Sequence, residues 1–202
     1  MKTFSLLLSC LLFTSVLPAQ TSHQLWLQEK LPAAVNVVAS VRSPTLSIAS
    51  DELVKNWQGK PGATITLKLA KNKLIRNDGF LLSESTVESN TETGILYGVF
   101  EMLRRQQTGQ PISSQVFNPS YKNRLLNHWD NPNGSIERGY AGQSIFWRKD
   151  SSFVITQQDL HLWKEYARAN ASVGINGAVL NNVNASHLIL TSDYLLRVKA
   201  IA

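Results

Sequence analysis

Two short apolar runs, each ending abruptly in a cluster of polar side chains, constrain the fold of this chain most strongly. The first, at residues 125–126, leads into Asn-His-Trp-Asp at 127–130, and the second, at 178–180, leads into Asn-Asn-Val-Asn at 181–184. A stretch with helical spacing lies between them. Because parallel α/β architectures bind ligands at the carboxyl ends of their strands, two such ends in succession predict one rim of a binding site.

The elements around these runs alternate between strand and helix. Thr156 and Asp159 resemble a capping box, and the helix that follows places Leu160, Trp163 and Ala167 on one face. A strand at 177–180 and an amphipathic helix at 191–202 come next. Two β/α units in series predict a parallel pair of strands with a right-handed crossover. Either a flavodoxin-like sheet or a (β/α)₈ barrel begins this way, and the pattern does not choose between them.

Residues 21–118 are predicted to form a small α+β domain, and their sequence contains no cluster of candidate catalytic or binding residues. The predicted strands cover 35–41, 63–69 and 80–82. One predicted helix runs from its cap at Ser50 to Trp57, and a second uses the apolar face of residues 95–103 and ends near Gly109. Residues 110–120, which contain Pro111 and Pro119, are predicted to be a linker or a crossover connection.

The first 20 residues predict export. They combine one early lysine, an apolar run from Phe4 to Val16 and the small residue Ala19, as a secretory signal peptide does. The alternative is a lipoprotein acylated at Cys10. Cleavage near Ala19 would remove the single cysteine of the chain, so we expect a secreted or periplasmic protein without disulfides, and no membrane association after signal removal.

The charge pattern argues against a nucleic-acid partner. The formal net charge is +6, but the basic residues are scattered and no Lys/Arg tract is interleaved with aromatics. The histidines have no metal-ligand spacing, and no nucleophile-elbow motif occurs. We therefore expect neither a metal site nor a cofactor.

Three motifs carry a family resemblance. The sequences RLLNHWDNPNGSIERGYAGQSIF, at 124–146, and YARANASVGINGAVLNNVNA, at 166–185, closely resemble the α-glucuronidases of glycoside hydrolase family 67. TGILYGVFEMLR, at 93–104, is similar to the accessory domain that precedes the barrel in that family. The resemblance implies an exported, xylan-degrading hydrolase that acts on glucuronoxylan-derived oligosaccharides. It would release 4-O-methyl-D-glucuronic acid from their non-reducing end with inversion.

The resemblance also implies the architecture. An α+β accessory domain, residues 21–118, would be followed at 119–202 by the first two β/α units of a (β/α)₈ TIM barrel. A full barrel needs roughly 250 residues, so we expect an incomplete barrel and an amino-terminal fragment of the enzyme. The catalytic carboxylates of the family lie on later strands, which predicts that this chain alone is inactive. A homodimer through a further carboxyl-terminal domain stays open.

Two site residues come from the resemblance. The family's pocket tryptophan at the end of the first strand matches Trp129, and its valine close to the 4-O-methyl group matches Val183. An indole can form an apolar wall against a sugar ring, and burying one methyl group against valine contributes about 0.8 kcal/mol. The alternative for Trp129 is an ordinary core residue.

Three further residues near the first strand end have side chains that could serve a sugar site. His128 could orient a sugar hydroxyl. Asp130 could contact substrate or cap a loop. Glu137 is the other carboxylate in this region, but its sequence distance from Asp130 fixes no separation between the two groups.

The remaining candidates are polar residues of the two loops. Glu137 and Arg138 either contact a ligand or form an ion pair that, with a packed Tyr140, holds the loop in shape. Asn182 and Asn184 either bind sugar hydroxyls or satisfy backbone groups at the rim.

Two other functions remain as alternatives to the glycosidase. One is a non-catalytic carbohydrate-binding or scaffolding module, and the other is an acetylhexosaminidase-like enzyme with a similar layout of accessory domain and barrel. The motif contexts of Trp129 and Val183 argue against the second.

Overall fold

A computed structural model describes Trp26, residues 31–148 and residues 154–202 of the chain. Within these ranges the protein is a mixed α/β structure with four α-helices, a five-stranded sheet and a two-stranded sheet. The predicted signal peptide lies outside the described residues. None of the described helices is long and apolar enough to cross a membrane.

The larger sheet contains the strands β1 (Val35–Ala39), β2 (Ala63–Leu69), β3 (Phe80–Leu82), β4 (Thr86–Ser89) and β5 (Gln115–Phe117). Their spatial order is β1-β2-β4-β3-β5. The first three in this order are parallel, and β3 is antiparallel to both of its neighbours. The period-two prediction for β2 is confirmed, because its alternate residues Ile65 and Leu67 are buried.

The first helix, α1 (Pro44–Asn56), starts earlier than predicted. Its cap is Ser43, whose Oγ accepts the backbone N–H of Leu46 at 3.2 Å, so the prediction of a helix that begins at Ser50 was wrong. Pro44 suits the first helical position because its missing N–H would have no helical partner there. Ser50 instead lies inside the helix, where its hydroxyl donates to the carbonyl of Leu46.

The second helix, α2 (Glu92–Thr108), confirms the sequence prediction. It ends at Gly109, which adopts a left-handed conformation with φ 67° and closes the helix through its N–H to Arg105 O. The face formed by Ile95, Val99 and Leu103 is fully buried against the larger sheet and α1.

Gly98 allows α2 to approach this sheet closely. A Cβ atom there would lie 2.4 Å from Val87 Cγ1 and 3.1 Å from the ring of Phe80. Gly98→Ala should therefore destabilise the protein by about 1–3 kcal/mol through overpacking, although alanine is the better helix former. Urea unfolding would measure the loss. The matched control is Gly139→Ala, where a Cβ would meet nothing within 4 Å, and an equal effect of both changes would contradict the packing argument.

The segment predicted as a linker contains a strand. Residues 115–117 form β5, which pairs antiparallel with β3 through the partners Leu81 and Val116, so the linker prediction was wrong at this point. The physical reason is a distant aromatic contact, because the ring of Phe117 stacks on that of Phe80 with centroids 5.0 Å apart. Pro111 and Pro119 lie outside the paired residues.

The second half of the chain has the predicted element order. The strands β6 (Leu125–Asn127) and β7 (Gly177–Val179) are parallel, and α3 (Gln157–Ser172) connects them. The helix α4 (Ser192–Ile201) follows. The capping box of α3 is confirmed, because Thr156 Oγ1 accepts the N–H of Asp159 while the Asp159 carboxylate accepts the N–H of Thr156.

Two apolar clusters support these elements. The larger lies between the five-stranded sheet and the helices α1 and α2. The smaller is aromatic and is centred on Phe146, Trp147 and Trp163, all of them buried, and it packs between α3, α4 and the end of β7.

Two largely buried ion pairs join the two halves of the structure. Glu52 of α1 accepts two hydrogen bonds from Arg168 of α3, at 2.5 and 3.0 Å, and the Glu52 contact raises the pKa of Arg168 although burial opposes it. Asp78 accepts two more from Arg124, at 3.1 and 2.7 Å. Arg124 directly precedes β6, so this pair ties the start of the smaller sheet to the larger one.

Candidate functional site

The carboxyl ends of β6 and β7 lie side by side, as the sequence predicted. The N–H of His128 donates to Val179 O at 3.0 Å, which extends the strand pairing by one residue. Beyond the strands, the N–H of Asn182 donates to Asp130 O at 2.7 Å. The two polar clusters therefore form one continuous rim.

Trp129 and Val183 are the exposed members of this rim. Trp129 is 44% exposed and Val183 is 87% exposed. The core alternative for Trp129 is therefore wrong. Each residue adjoins one partner of the hydrogen-bonded pair Asp130 and Asn182, so the main chain that carries both side chains is joined directly.

The loop that follows β6 is held by its own hydrogen bonds. Glu137 N donates to Trp129 O at 3.0 Å, Asn131 N donates to Ser135 O at 2.8 Å, and Ser144 N donates to Gly134 O at 2.9 Å. The Asn131 side-chain amide also donates to the Ser135 hydroxyl. These bonds fold residues 129–144 back over the strand end. The consecutive residues Glu137 and Arg138 therefore lie next to Trp129.

Arg138 lies over the indole of Trp129, with its guanidinium carbon 5.8 Å from the ring centroid. Both Glu137 and Arg138 are exposed. Tyr140 is 90% exposed, so the alternative of a packed tyrosine that holds the loop is wrong. A cation and an aromatic face are thus presented together to solvent at the strand end.

Asp130 is buried, and His128 is half-buried beside it. Asp130 is 2% exposed, and its Oδ1 lies 3.8 Å from Nδ1 of His128. His128 Nε2 lies 2.6 Å from the hydroxyl of Tyr166 on α3. The hydrogen bond to Tyr166 was not anticipated from the sequence, although Tyr166 is one helical turn beyond Trp163 and so faces the same way.

The two predicted asparagines behave differently. Asn182 is buried, and its Oδ1 accepts the backbone N–H of Asn184 at 3.0 Å, which agrees with the alternative that it satisfies backbone groups at the rim. Asn184 is exposed. Only Asn184 of these two therefore presents its side chain to solvent.

An ion pair lies at the start of α3, next to the aromatic cluster. The Asp159 carboxylate accepts from the N–H of Thr156 and forms an ion pair with Arg148. Burial by itself would raise the pKa of Asp159, but these bonds outweigh it and hold the pKa below its ordinary value. The pair joins the loop after the rim to the first turn of α3.

Two cavities lie near the smaller sheet, but neither is at the rim. One of about 580 Å³ lies between α3, β7 and α4 and is lined by aromatic and aliphatic residues including Phe146, Trp163 and Ile201. A smaller one, of about 230 Å³, lies inside the loop of residues 133–143. The linings of these two include neither Trp129 nor Val183. Among the described residues, no group of three or more His, Cys, Asp or Glu side chains could hold a metal ion.

Comparison with known proteins identifies the family. The sequence family described as the glycosyl hydrolase family 67 middle domain matches residues 103–202, which include β6, α3, β7 and α4. The chain belongs to glycoside hydrolase family 67. Both ends of the rim lie inside the matched family 67 region.

Curated relatives cover more of the chain. A probable alpha-glucuronidase A of Neosartorya fischeri is 46% identical over 118 residues, which is 56% of this chain and 14% of that protein. A probable alpha-glucuronidase A of Aspergillus oryzae is 35% identical over 195 residues, covering 82% of this chain and 23% of that protein. The alpha-glucuronidase of Hypocrea jecorina is 39% identical over 147 residues, with shares of 67% and 17%. This family 67 chain therefore spans less than a quarter of each of these relatives.

Proposed function

We propose that the protein carrying this chain is an α-glucuronidase that removes 4-O-methyl-D-glucuronic acid from xylooligosaccharides with inversion. The observation that carries the proposal is the rim at the ends of β6 and β7, which lies inside the family 67 match. The names of the relatives favour an enzyme over a non-catalytic binding module. The composition of residues 1–20 supports an exported enzyme.

The proposed scaffold is the start of a (β/α)₈ barrel, preceded by an accessory domain at residues 21–118. The parallel pairing of β6 and β7 with α3 between them supports this architecture. In such barrels the substrate meets the carboxyl ends of the strands. Trp129 and Val183 are exposed at those ends, which supports a role as an apolar wall and as the contact for the 4-O-methyl group.

The proposed contacts of the polar rim residues follow from their exposure. Arg138, Glu137 and Asn184 are open to solvent and can bond sugar hydroxyl or carboxylate groups. A guanidinium beside an indole suits an acidic sugar, because the charge attracts the uronate while the ring packs against the pyranose.

The catalytic carboxylates are proposed to come from other parts of the protein. An inverting enzyme places its two carboxyl groups about 6.5–9.5 Å apart, on either side of the scissile bond. Of the carboxylates at the described rim, Asp130 is buried, and only Glu137 is open to solvent. One accessible carboxylate does not make such a pair, so we predict that residues 20–202 alone release no uronic acid.

The decisive experiment measures release of 4-O-methyl-glucuronic acid from aldouronic acids by the full-length exported protein. Trp129→Ala should lower kcat/KM about tenfold or more, because the indole would lose its packing against the sugar ring. The matched control is Tyr121→Ala, which removes an aromatic residue that is 74% exposed upstream of β6. Absence of any uronic acid release would refute the proposed activity, and an unchanged kcat/KM for Trp129→Ala would refute the assigned wall.

A further inference from the structure

We propose that Asp130 is a positioning residue. From its buried position it fixes the orientation of the Trp129 indole, acting through His128 and the main chain. It does not itself touch the sugar. The consequence for sugar binding rests on the proposed function, whereas the consequence for the indole of Trp129 stands without it.

The neighbouring residues Trp129 and Asp130 differ in their exposure to solvent. Asp130 is 2% exposed while Trp129, the preceding residue, is 44% exposed. Asp130 forms an antiparallel bridge with Ile136, so the backbone here is extended. Consecutive side chains of an extended segment point to opposite sides, which explains why one faces solvent and the other faces the interior.

The main chain at Asp130 is hydrogen-bonded to the loop that follows β7. Its carbonyl accepts the N–H of Asn182 at 2.7 Å, and the carbonyl of Trp129 accepts the N–H of Glu137 at 3.0 Å. A displacement of Asp130 would therefore move the main chain on both sides of the indole. It would also loosen the contact with the end of β7.

The side chain of Asp130 faces two half-buried polar side chains, His128 and Tyr166. Its Oδ1 lies 3.8 Å from His128 Nδ1, and His128 Nε2 lies 2.6 Å from the Tyr166 hydroxyl. The imidazole is enclosed by aromatic rings, with centroid distances of 4.9 Å to Phe146 and 5.4 Å to Tyr166. The hydrogen bond between His128 and Tyr166 thus connects the strand end to α3, and the Asp130 carboxylate lies beside His128.

One oxygen of this carboxylate shows that the site is costly to build. Asp130 Oδ2 is fully buried and has no hydrogen-bond donor within the described part of the chain. A buried carboxylate oxygen without a donor is unfavourable, so a native fold keeps one only where another interaction offsets the cost. The imidazole of His128, whose Nδ1 lies 3.8 Å from the other oxygen of the same carboxylate, is the polar side chain that faces it.

These contacts make a structural prediction about Trp129. Because both of its neighbours are anchored, the indole should occupy one arrangement in the native protein. Asp130→Asn keeps the shape of the side chain but removes the charge that faces His128. His128→Gln removes the imidazole and Tyr166→Phe removes the hydroxyl that bonds to it, each with little change in volume.

The test uses the full-length protein labelled with 5-fluorotryptophan and observed by fluorine NMR. The resonance of Trp129 is assigned from its loss in Trp129→Phe. In Asp130→Asn it should shift or broaden, while that of Trp57, buried in the larger cluster, keeps its position and reports an intact fold. The control is Asp51→Asn, which removes an exposed carboxylate of α1 and should leave both resonances unchanged.

Steady-state kinetics add the readout for sugar binding. Asp130→Asn should raise KM about tenfold with kcat nearly unchanged, as expected when ground-state and transition-state binding weaken equally. A Trp129 resonance that stays fixed in Asp130→Asn overturns the proposal, and a fall in kcat with a fixed resonance would make Asp130 a direct substrate contact. If Asp130→Asn does not fold, His128→Gln and Tyr166→Phe decide through the same resonance. Should the protein release no uronic acid at all, the proposed function fails while the fluorine result still decides the role of Asp130.

Discussion

Replacement of Arg168 by alanine should lower the free energy of unfolding by about 3 kcal/mol. Arg168 and Glu52 lie 116 residues apart in sequence, and their side chains are only 19% and 7% exposed. Removing one partner of a buried pair leaves the other charge without compensation, which typically costs 3–5 kcal/mol. Asn56 still donates to Glu52 at 3.1 Å, so we expect a value near the lower end of this range.

Urea unfolding followed by circular dichroism measures this loss. The control is Lys164→Ala, which removes an exposed cation from the same helix and should change stability by less than about 0.5 kcal/mol. The double variant Glu52→Gln/Arg168→Met should recover much of the loss, because no unpaired charge remains buried. Similar values for Arg168→Ala and Lys164→Ala would show that the buried pair does not join the two halves energetically.

Replacement of Trp163 by alanine should destabilise the protein by about 3–5 kcal/mol. Trp163 is 6% exposed and its indole N–H donates to Ile145 O at 2.8 Å. The guanidinium carbon of Arg197 on α4 lies 5.4 Å from its ring centroid. The substitution would therefore leave a cavity, a carbonyl without its donor and an arginine without its aromatic surface.

Near-UV circular dichroism and urea unfolding together test this role. Trp163→Phe keeps most of the packing and removes the N–H, so it should cost about 1 kcal/mol from the lost hydrogen bond and somewhat more from the smaller ring. His161→Ala, at an exposed position of the same helix, serves as the control. If Trp163→Ala has the same midpoint of urea unfolding as the unsubstituted protein, the aromatic cluster does not stabilise the packing of α3 against α4.

Local sequence patterns were reliable where one short segment contained all the partners. The capping box at Thr156 and Asp159 and the glycine stop at Gly109 need only residues within one or two helical turns, and both were predicted correctly. The parallel pairing of β6 with β7 was also predicted, because a strand, helix and strand in succession leave few alternatives.

The errors occurred where a distant residue decided the outcome or where two nearby residues offered the same local signal. Residues 115–117 resemble a linker in isolation and become a strand because Phe117 stacks on Phe80. The start of α1 was misplaced because Ser43 and Ser50 are both acceptable caps, and the proline after Ser43 favours the earlier one. The division of the candidate rim into exposed and buried residues was not predicted either, since neighbouring polar residues look alike in a sequence.

The sequence by itself determined the order of the elements in the second half of the chain, the two strand ends and the family to which the chain belongs; the strands β4 and β5 of the larger sheet were not predicted. Each of the predicted features depends on periodicity or on motifs within a few tens of residues. Only the tertiary structure decided that Trp129 faces solvent while Asp130 faces His128, and that Glu52 finds Arg168. The physical reason is that burial and pairing depend on which surfaces meet after the chain has folded, and residues 116 positions apart share no local pattern that could announce their contact.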